Sequence, residues 1–260
     1  MKSLVRWTTT LGLIGATVMG SALSFATQVL ALTDDEIVEK LQSAVAYTIA
    51  DGNLTPLVAS VPAEGGSGGA AKNVEVMGIF ISRQDAEAFL NRLKTDNPQV
   101  GNQTRVIPIF LSDVYQLAME QKDNPQPVAF RFIPTKSQTD AAASILRQSG
   151  QESNPDAVPL FAVRYGPNKG LIPMSFKQGE PEVIPLFFSA QEAQSVLNVV
   201  KQKQPEADIQ VLSIDGVLQE LRSKNDEWLE KVVFVMTPES RQYVQSQEFK
   251  NFVQSVQQQR

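Results

Sequence analysis

Cysteine and histidine are both absent from this chain of 260 residues, and each absence removes a class of chemistry. Without cysteine there is no disulfide and no thiolate nucleophile, so packing alone must hold the fold. Without histidine the chain lacks the commonest general base and the usual ligand of catalytic zinc. Clustered Lys and Arg are missing too, and the net charge is −5. Nucleic-acid binding needs such clusters to meet the phosphates, so that class of partner is not expected. Beyond the N-terminal region no stretch is apolar enough to span a membrane.

The first 31 residues have the grammar of an export signal. Lys2 and Arg6 precede an apolar run from about Leu11 to Ala26, followed by small residues. Cleavage is predicted after Ala26, with Ser24 at −3, or after Ala31, with Val29 at −3. Gly12, Gly15 and Gly20 weaken the run against the roughly 20 apolar residues of a spanning helix. The competing reading is an uncleaved anchor. Removing Lys2 and Arg6 from 23 basic residues leaves 21 against 28 acidic ones, a net charge of about −7.

The rest of the chain is written twice. From Ser82 to Pro98, seven of 17 positions recur at an offset of 107, among them Ser82/Ser189, Ala86/Ala193, Leu90/Leu197 and Pro98/Pro205. Ser82 with Asp85, and Ser189 with Glu192, have the spacing of a capping box. Behind each lies an apolar helical stripe: Ala86, Phe89, Leu90, Leu93 and Ala193, Val196, Leu197, Val200. An apolar strand-like run precedes each helix, and a proline follows it. Downstream, "RVIPIFLSDVYQLAM" from Arg105 parallels "IQVLSIDGVLQELRS" from Ile209, with Ser112 and Asp215 expected as caps. "VAFRFIP" from Val128 likewise parallels "VVFVMTP" from Val232, the strands stopping at Pro134 and Pro238.

Upstream, the segments from Val45 and from Pro159 each read as a hairpin. A helix is expected before each, capped by Thr33 with Glu36 and by Ser137 with Asp140. A last helix is expected from about Pro238 to Gln257. The sequence therefore predicts a mixed α+β fold of two pseudo-symmetric halves, each a small sheet with a hairpin plus flanking helices. The divisions are a leader over 1–31, a first half over 32–136, and a second half over 137–260 that includes the C-terminal helix. Units of this length suggest a duplicated domain, since solenoid repeats run to about 20–50 residues.

Motifs for chemistry are weak throughout. The Gly-rich stretch 63–72 ends in Lys72-Asn73 ahead of a strand, where a phosphate loop needs Lys-Ser/Thr opening a helix. It reads as a flexible connection. Asp34, Asp35 and Glu36 fall in a first helical turn, where acids favour the positive end of the dipole. A Ser–Lys or carboxylate-pair enzyme has no spacing to support it. No catalytic, cofactor-binding or metal-binding residue is predicted, and no cofactor or small-molecule substrate is expected. The 13 phenylalanines include Phe80, Phe110, Phe130, Phe132, Phe161, Phe187, Phe188 and Phe234 in strand-like runs. Core filling explains most of them, while neighbours such as Phe187 and Phe188 must face opposite sides of a sheet. Some would then line a groove for extended polypeptide. Which surface binds a partner is not readable.

"GIFISRQDAEAFLNRLK", the "PLFAV" hairpin and "VIPIFLSDVYQL", in that order behind a leader, resemble the Tic22-like family. That family comprises the twenty-two-kilodalton component of the chloroplast inner-envelope translocon and its cyanobacterial relatives. The resemblance covers nearly all the chain after Thr33. It implies a protein working between two membranes, in the periplasm or thylakoid lumen of a cyanobacterium. The role implied is a chaperone-like holdase in protein transport and outer-membrane biogenesis. Its partners would be unfolded or outer-membrane proteins and an Omp85-type barrel. A passive scaffold for a translocon or barrel complex is the alternative. The family pattern supplies no catalytic residue. If export is correct, N-terminal sequencing of protein from its native cells will begin near Thr27 or Leu32. A membrane-embedded form that retains Met1 would establish the anchor instead.

Overall fold

The computed structural model describes residues 32–62, 73–224 and 226–259. The expected leader and the Gly-rich connection over 63–72 lie outside the described residues. The chain opens on α1 (Asp34–Leu41), where Thr33 and Glu36 complete both bonds of the predicted capping box. It continues through β1 (Val45–Asp51), β2 (Val58–Pro62), β3 (Asn73–Phe80) and α2 (Arg83–Asp96). Then come α3 (Pro98–Gly101), β4 (Thr104–Phe110), α4 (Leu111–Glu120) and β5 (Val128–Ile133). Pro98 does end α2, and it also opens α3 at a position where a missing N–H costs nothing. At Gly101 a Cβ would stand 2.5 Å from the Lys94 backbone, so only glycine lets this turn close on α2.

The second pass runs α5 (Lys136–Gln148), β6 (Pro159–Arg164), β7 (Ile184–Phe187), α6 (Ala190–Val200), β8 (Asp208–Ser213) and α7 (Ile214–Ser223). It ends with α8 (Glu227–Glu230), β9 (Val232–Val235), α9 (Pro238–Gln245) and α10 (Gln247–Gln259). Both sheets have one plan. In the first the strands lie β4-β1-β3-β5, and in the second β8-β6-β7-β9, each with a parallel last pair. The registers coincide as well: Tyr47 pairs with Phe80 as Phe161 pairs with Phe187, and Phe80 with Ile133 as Phe187 with Val235. The duplicated phrase is thus the corner where a central strand turns into its helix. Beyond that plan, β2 pairs with the first half of β3, from Val58↔Met77 to Pro62↔Asn73. In the second sheet, bridges at Arg164↔Leu171 and Met174↔Val183 stand in its place.

Strand alternation sorts the apolar residues into layers. Ala46, Met77 and Ile79 of the first sheet and Leu160, Ala162 and Leu186 of the second share one core. Residues of α1, α4, α7 and α8, among them Ile37, Leu41, Val114, Val217 and Leu229, belong to that same core. The opposite faces are buried too. Val45, Tyr47 and Phe80 lie with Ala86 and Leu90 of α2, while Phe161, Val163 and Phe187 lie with Ala193 and Leu197 of α6. Strands covered on both sides read as continuous apolar runs, which is why these segments lack alternation in sequence.

The helix that follows each sheet's last strand crosses to the other sheet. From β5 the chain enters α5, whose Ala142 packs on the outer face of the second sheet beside α6. From β9 it enters α9, whose Tyr243 and Val244 pack on the outer face of the first sheet. Each crossing helix also satisfies the start of a resident one. Gln138 Oε1 accepts from the Ala190 N–H of α6 at 2.9 Å, and Glu239 Oε1 from the Gln84 N–H of α2 at 3.2 Å.

Some expectations need correction. α1 and α5 precede their hairpins in sequence but are not counterparts in space, since α1 lies in the shared core and α5 outside the second sheet. Ser137 and Asp140 do not cap α5. Thr135 holds the cap position without a side-chain bond, and Asp140 pairs with Lys136 at 2.7 Å. Nor do Ser112 and Asp215 cap their helices. Both lie inside the first turn, behind Phe110 and Ser213, and Ser213 accepts from Gly216 N–H at 3.1 Å. The ladder makes Val106, not Arg105, the counterpart of Ile209, a shift of one residue. The parallel pairs make Phe130, not Val128, the counterpart of Val232. Pro238 opens α9 as its first residue, and the last helix breaks at Ser246, which has ψ 159°. The hairpins hold only beside their turns, where Leu57 N–H bonds Ile49 O at 2.7 Å in the first and Ile172 N–H bonds Val163 O at 2.9 Å in the second.

Ser82 and Ser189 do cap α2 and α6, accepting from Asp85 N–H at 3.3 Å and Glu192 N–H at 3.4 Å. The acids' return bonds are absent, and Glu192 instead pairs with Arg241 of α9. Ser82→Ala and Ser189→Ala should each cost about 1 kcal/mol, and the double variant roughly the sum. An unmoved urea midpoint for either would remove that serine from the helix start.

Candidate functional site

The residues singled out in the sequence are mostly absorbed by structure. Glu36 takes the Thr33 N–H at 2.7 Å, and this bond is the first cause holding its carboxyl below the ordinary range. Asp34 Oδ1 accepts a hydrogen bond of 2.5 Å from the Tyr115 hydroxyl. Among the described residues no group of three acids is placed to hold a metal. Phe80, Phe161, Phe187, Phe188 and Phe234 are buried, with Phe187 and Phe188 in different cores as their opposite directions require. Phe130 and Phe132 are only partly buried, and they line a cavity.

That cavity, of about 410 Å³, lies between α4 and α7, beside α1 and β5. Leu111, Val114 and Met119 come from α4, Leu218 from α7, Leu41 from α1, and the two phenylalanines from β5. Because Leu111 and Ile214 begin corresponding helices, Tyr115 and Leu218 occupy the same position in the two halves. Both line the cavity, so it falls on the pseudo-two-fold seam. Its polar groups are few: Tyr115 from α4, and Asp215, Gln219, Arg222 and Ser223 from α7. The size and the apolar walls with a few polar groups are those of a ligand site.

The seam is not symmetric in charge. Asp215 corresponds to Ser112, which is buried, whereas Asp215 reaches solvent at the rim. Desolvation by its neighbours still raises the Asp215 carboxyl above the ordinary range, and only its own backbone N–H opposes that. Tyr115 is pushed up to about 12, first by burial and then by the bond to Asp34. The sequence pattern placed Asp215 at a cap. The signal that pointed further was the duplication itself, since two copies of one amphipathic helix must meet somewhere.

A second apolar hollow, of about 190 Å³, opens on the outer face of the first sheet. Val61, Val76, Phe80, Phe89 and Ile133 surround Gly78, with Arg131 among the lining residues. Gly78 makes the room: a Cβ there would meet Ile133 Cδ1 at 3.2 Å. Val61 and Phe89 remain 39% and 38% exposed, enough to extend the hollow as an apolar patch.

Comparison with known proteins gives a consistent result. A sequence model of the Tic22-like family matches residues 6–248. "Protein TIC 22, chloroplastic" of Arabidopsis thaliana is 27% identical over 218 residues, covering 82% of this chain and 71% of that protein. Its Pisum sativum namesake is 27% identical over 211 residues, covering 78% and 73%. Among solved structures, Anabaena Tic22, described as a protein of protein transport, superposes with a TM-score of 0.72 at 39% identity, covering 82% of this chain and 97% of that one. Tic22 from Plasmodium falciparum gives 0.60 at 21% identity, with 82% and 98% covered, a likeness of fold.

The bond from Tyr115 to Asp34 fastens α1 to the cavity wall, so Tyr115→Phe should cost about 1.5 kcal/mol. Tyr47 is likewise pushed up to about 12, first by burial. Between pH 10 and 12 the folded chain keeps these two protons while the unfolded chain releases them. Their stabilisation is therefore complete below pH 10 and is lost as pH rises to 12. Tyr115→Phe should flatten this alkaline limb in denaturation midpoints measured across pH, and an unchanged limb would contradict the assignment.

Proposed function

The chain belongs to the Tic22-like family, and from that premise we propose that it serves protein transport as a holdase without enzymatic activity. It would bind unfolded polypeptide between export and insertion. The seam cavity carries this reading: an apolar hollow on a doubly covered scaffold, with few polar groups to fix one small ligand. The patch around Val61 and Phe89 offers a second apolar contact. Such binding is weak and reversible and needs no nucleotide. The leader-like residues 1–31 support export to the periplasm or thylakoid lumen, and the acidic composition keeps the carrier itself soluble. Clients of this kind are outer-membrane proteins in transit and, at the membrane, an Omp85-type barrel.

Light scattering tests the proposal. At near-stoichiometric ratios the full chain should slow aggregation of an unfolded outer-membrane barrel protein. Met119→Ser and Leu218→Ser, which make the seam polar, should reduce the effect several-fold while circular dichroism stays native. A chain that co-purifies with a barrel complex but leaves client aggregation unchanged is a passive scaffold, and the holdase reading then fails.

A further inference from the structure

Two charged side chains line the seam cavity, Asp215 and Arg222. Asp215 stands at its rim and makes no ion pair among the described residues. Arg222, the cation lining the cavity, sits seven positions further along α7, about 10 Å along the axis. It does not figure among the influences on the Asp215 carboxyl. The other half has the neutral, buried Ser112 at the corresponding position, so the architecture does not demand a carboxylate here. The neighbouring elements add to the acidity. α1 opens on Asp34, Asp35 and Glu36, with Asp34 bonded to Tyr115 of the cavity wall, and α4 ends on Glu120. Lys40 of α1 is only the smallest influence on Glu36, because its ammonium is turned to the Glu230 and Val232 carbonyls at 2.6 and 3.5 Å.

We propose that the seam cavity selects unfolded segments in which a Lys or Arg stands beside large apolar side chains, the apolar groups entering between α4 and α7 and the cation meeting Asp215. This deepens the holdase reading and rests on it. Apolar walls alone accept any greasy segment. A rim carboxylate with acidic surroundings favours segments that join positive charge to apolar character, and it repels acidic ones. The cation regains at Asp215 some of the charge complement that the fold leaves unfilled.

The test uses the full chain and one short Leu- and Phe-containing peptide, labelled with a fluorophore and made with Lys, Gln or Glu at a single position. Anisotropy titrations should rank affinity Lys over Gln over Glu, by roughly threefold per step, as for an exposed ion pair. Asp215→Asn should collapse the ranking and Asp215→Lys should reverse it. Equal binding of the three peptides to the native chain, or an intact ranking in Asp215→Asn, overturns the charge selection while the holdase reading stands. Failure of all three peptides to bind overturns both. Should the variants not fold, the native chain decides by itself. Its preference for Lys must fade as added salt shortens the Debye length, and a salt-independent preference overturns the proposal.

Discussion

Each sheet depends on the other half's crossing helix to cover its outer face, and this exchange is the constraint from which the rest of the structure follows. A sheet apolar on both sides needs helices on both sides. The inner faces meet the shared core, but α2 and α6 leave part of each outer face uncovered. α9 and α5 complete the cover from across the molecule, and polar groups fix them there. Tyr47 donates to Ser240 of α9 at 3.3 Å in a buried site, and Arg241 of α9 reaches back to Glu192 at the start of α6. Arg83 lies over the Tyr243 ring at 4.6 Å and pairs with Glu248 at 2.8 Å, holding α10 against the same corner. In a chain without cysteine these contacts do the work that disulfides do in many exported proteins.

The seam cavity is a consequence of the duplication. Where two copies of a helix meet near a two-fold axis, equivalent residues meet each other, and one side-chain shape must fit its own image. Divergence relieves that demand: Tyr115 stands where the other half has Leu218, and Met119 where it has Arg222. The replacements do not fill the space. Such a gap is energetically tolerable while the strands on either side are doubly covered, so the cavity comes with little loss to the scaffold. The same divergence puts Asp215 where the other half has Ser112 and gives the seam a charged end.

Local chemistry was legible in the sequence, and long-range connection was not. Ser82, Ser189 and Thr33 each meet the backbone N–H three residues on, and that spacing is written in the chain itself. The apolar stripes behind them were equally plain. Ser112, Asp215 and Ser137 have the same look but fall inside their helices: the strands before Ser112 and Asp215 end one residue earlier than the letters suggest, and α5 starts at Lys136, directly after Pro134 and Thr135. Strand ends follow from ladder register, which neighbours in space decide. The pairing of α1 with α5 failed for a related reason. Both precede a hairpin, yet the crossover of α5 is set by which sheet face lies open, a fact with no local signature. Phe130 and Phe132 were visible as strand aromatics, but only the cavity between α4 and α7 makes them walls.

The order in which the chain emerges bears on how this fold can form. α1 is the first described element, yet Lys40 bonds the Glu230 and Val232 carbonyls and Ser43 donates to Phe234 O at 3.4 Å, along the edge of β9. Those partners lie about 190 residues downstream. The outer face of the first sheet likewise waits for α9, which follows β9. Contacts of such separation are slow to form, because closing a long loop costs entropy before any contact compensates it. The chain therefore cannot complete either sheet's cover, nor the shared core, until its C-terminal strand has arrived. A fold closed by its last elements lacks part of its core and of its sheet cover while only its first half is present. The helix exchange that stabilises the finished protein is thus also what keeps it incomplete until the whole chain is present.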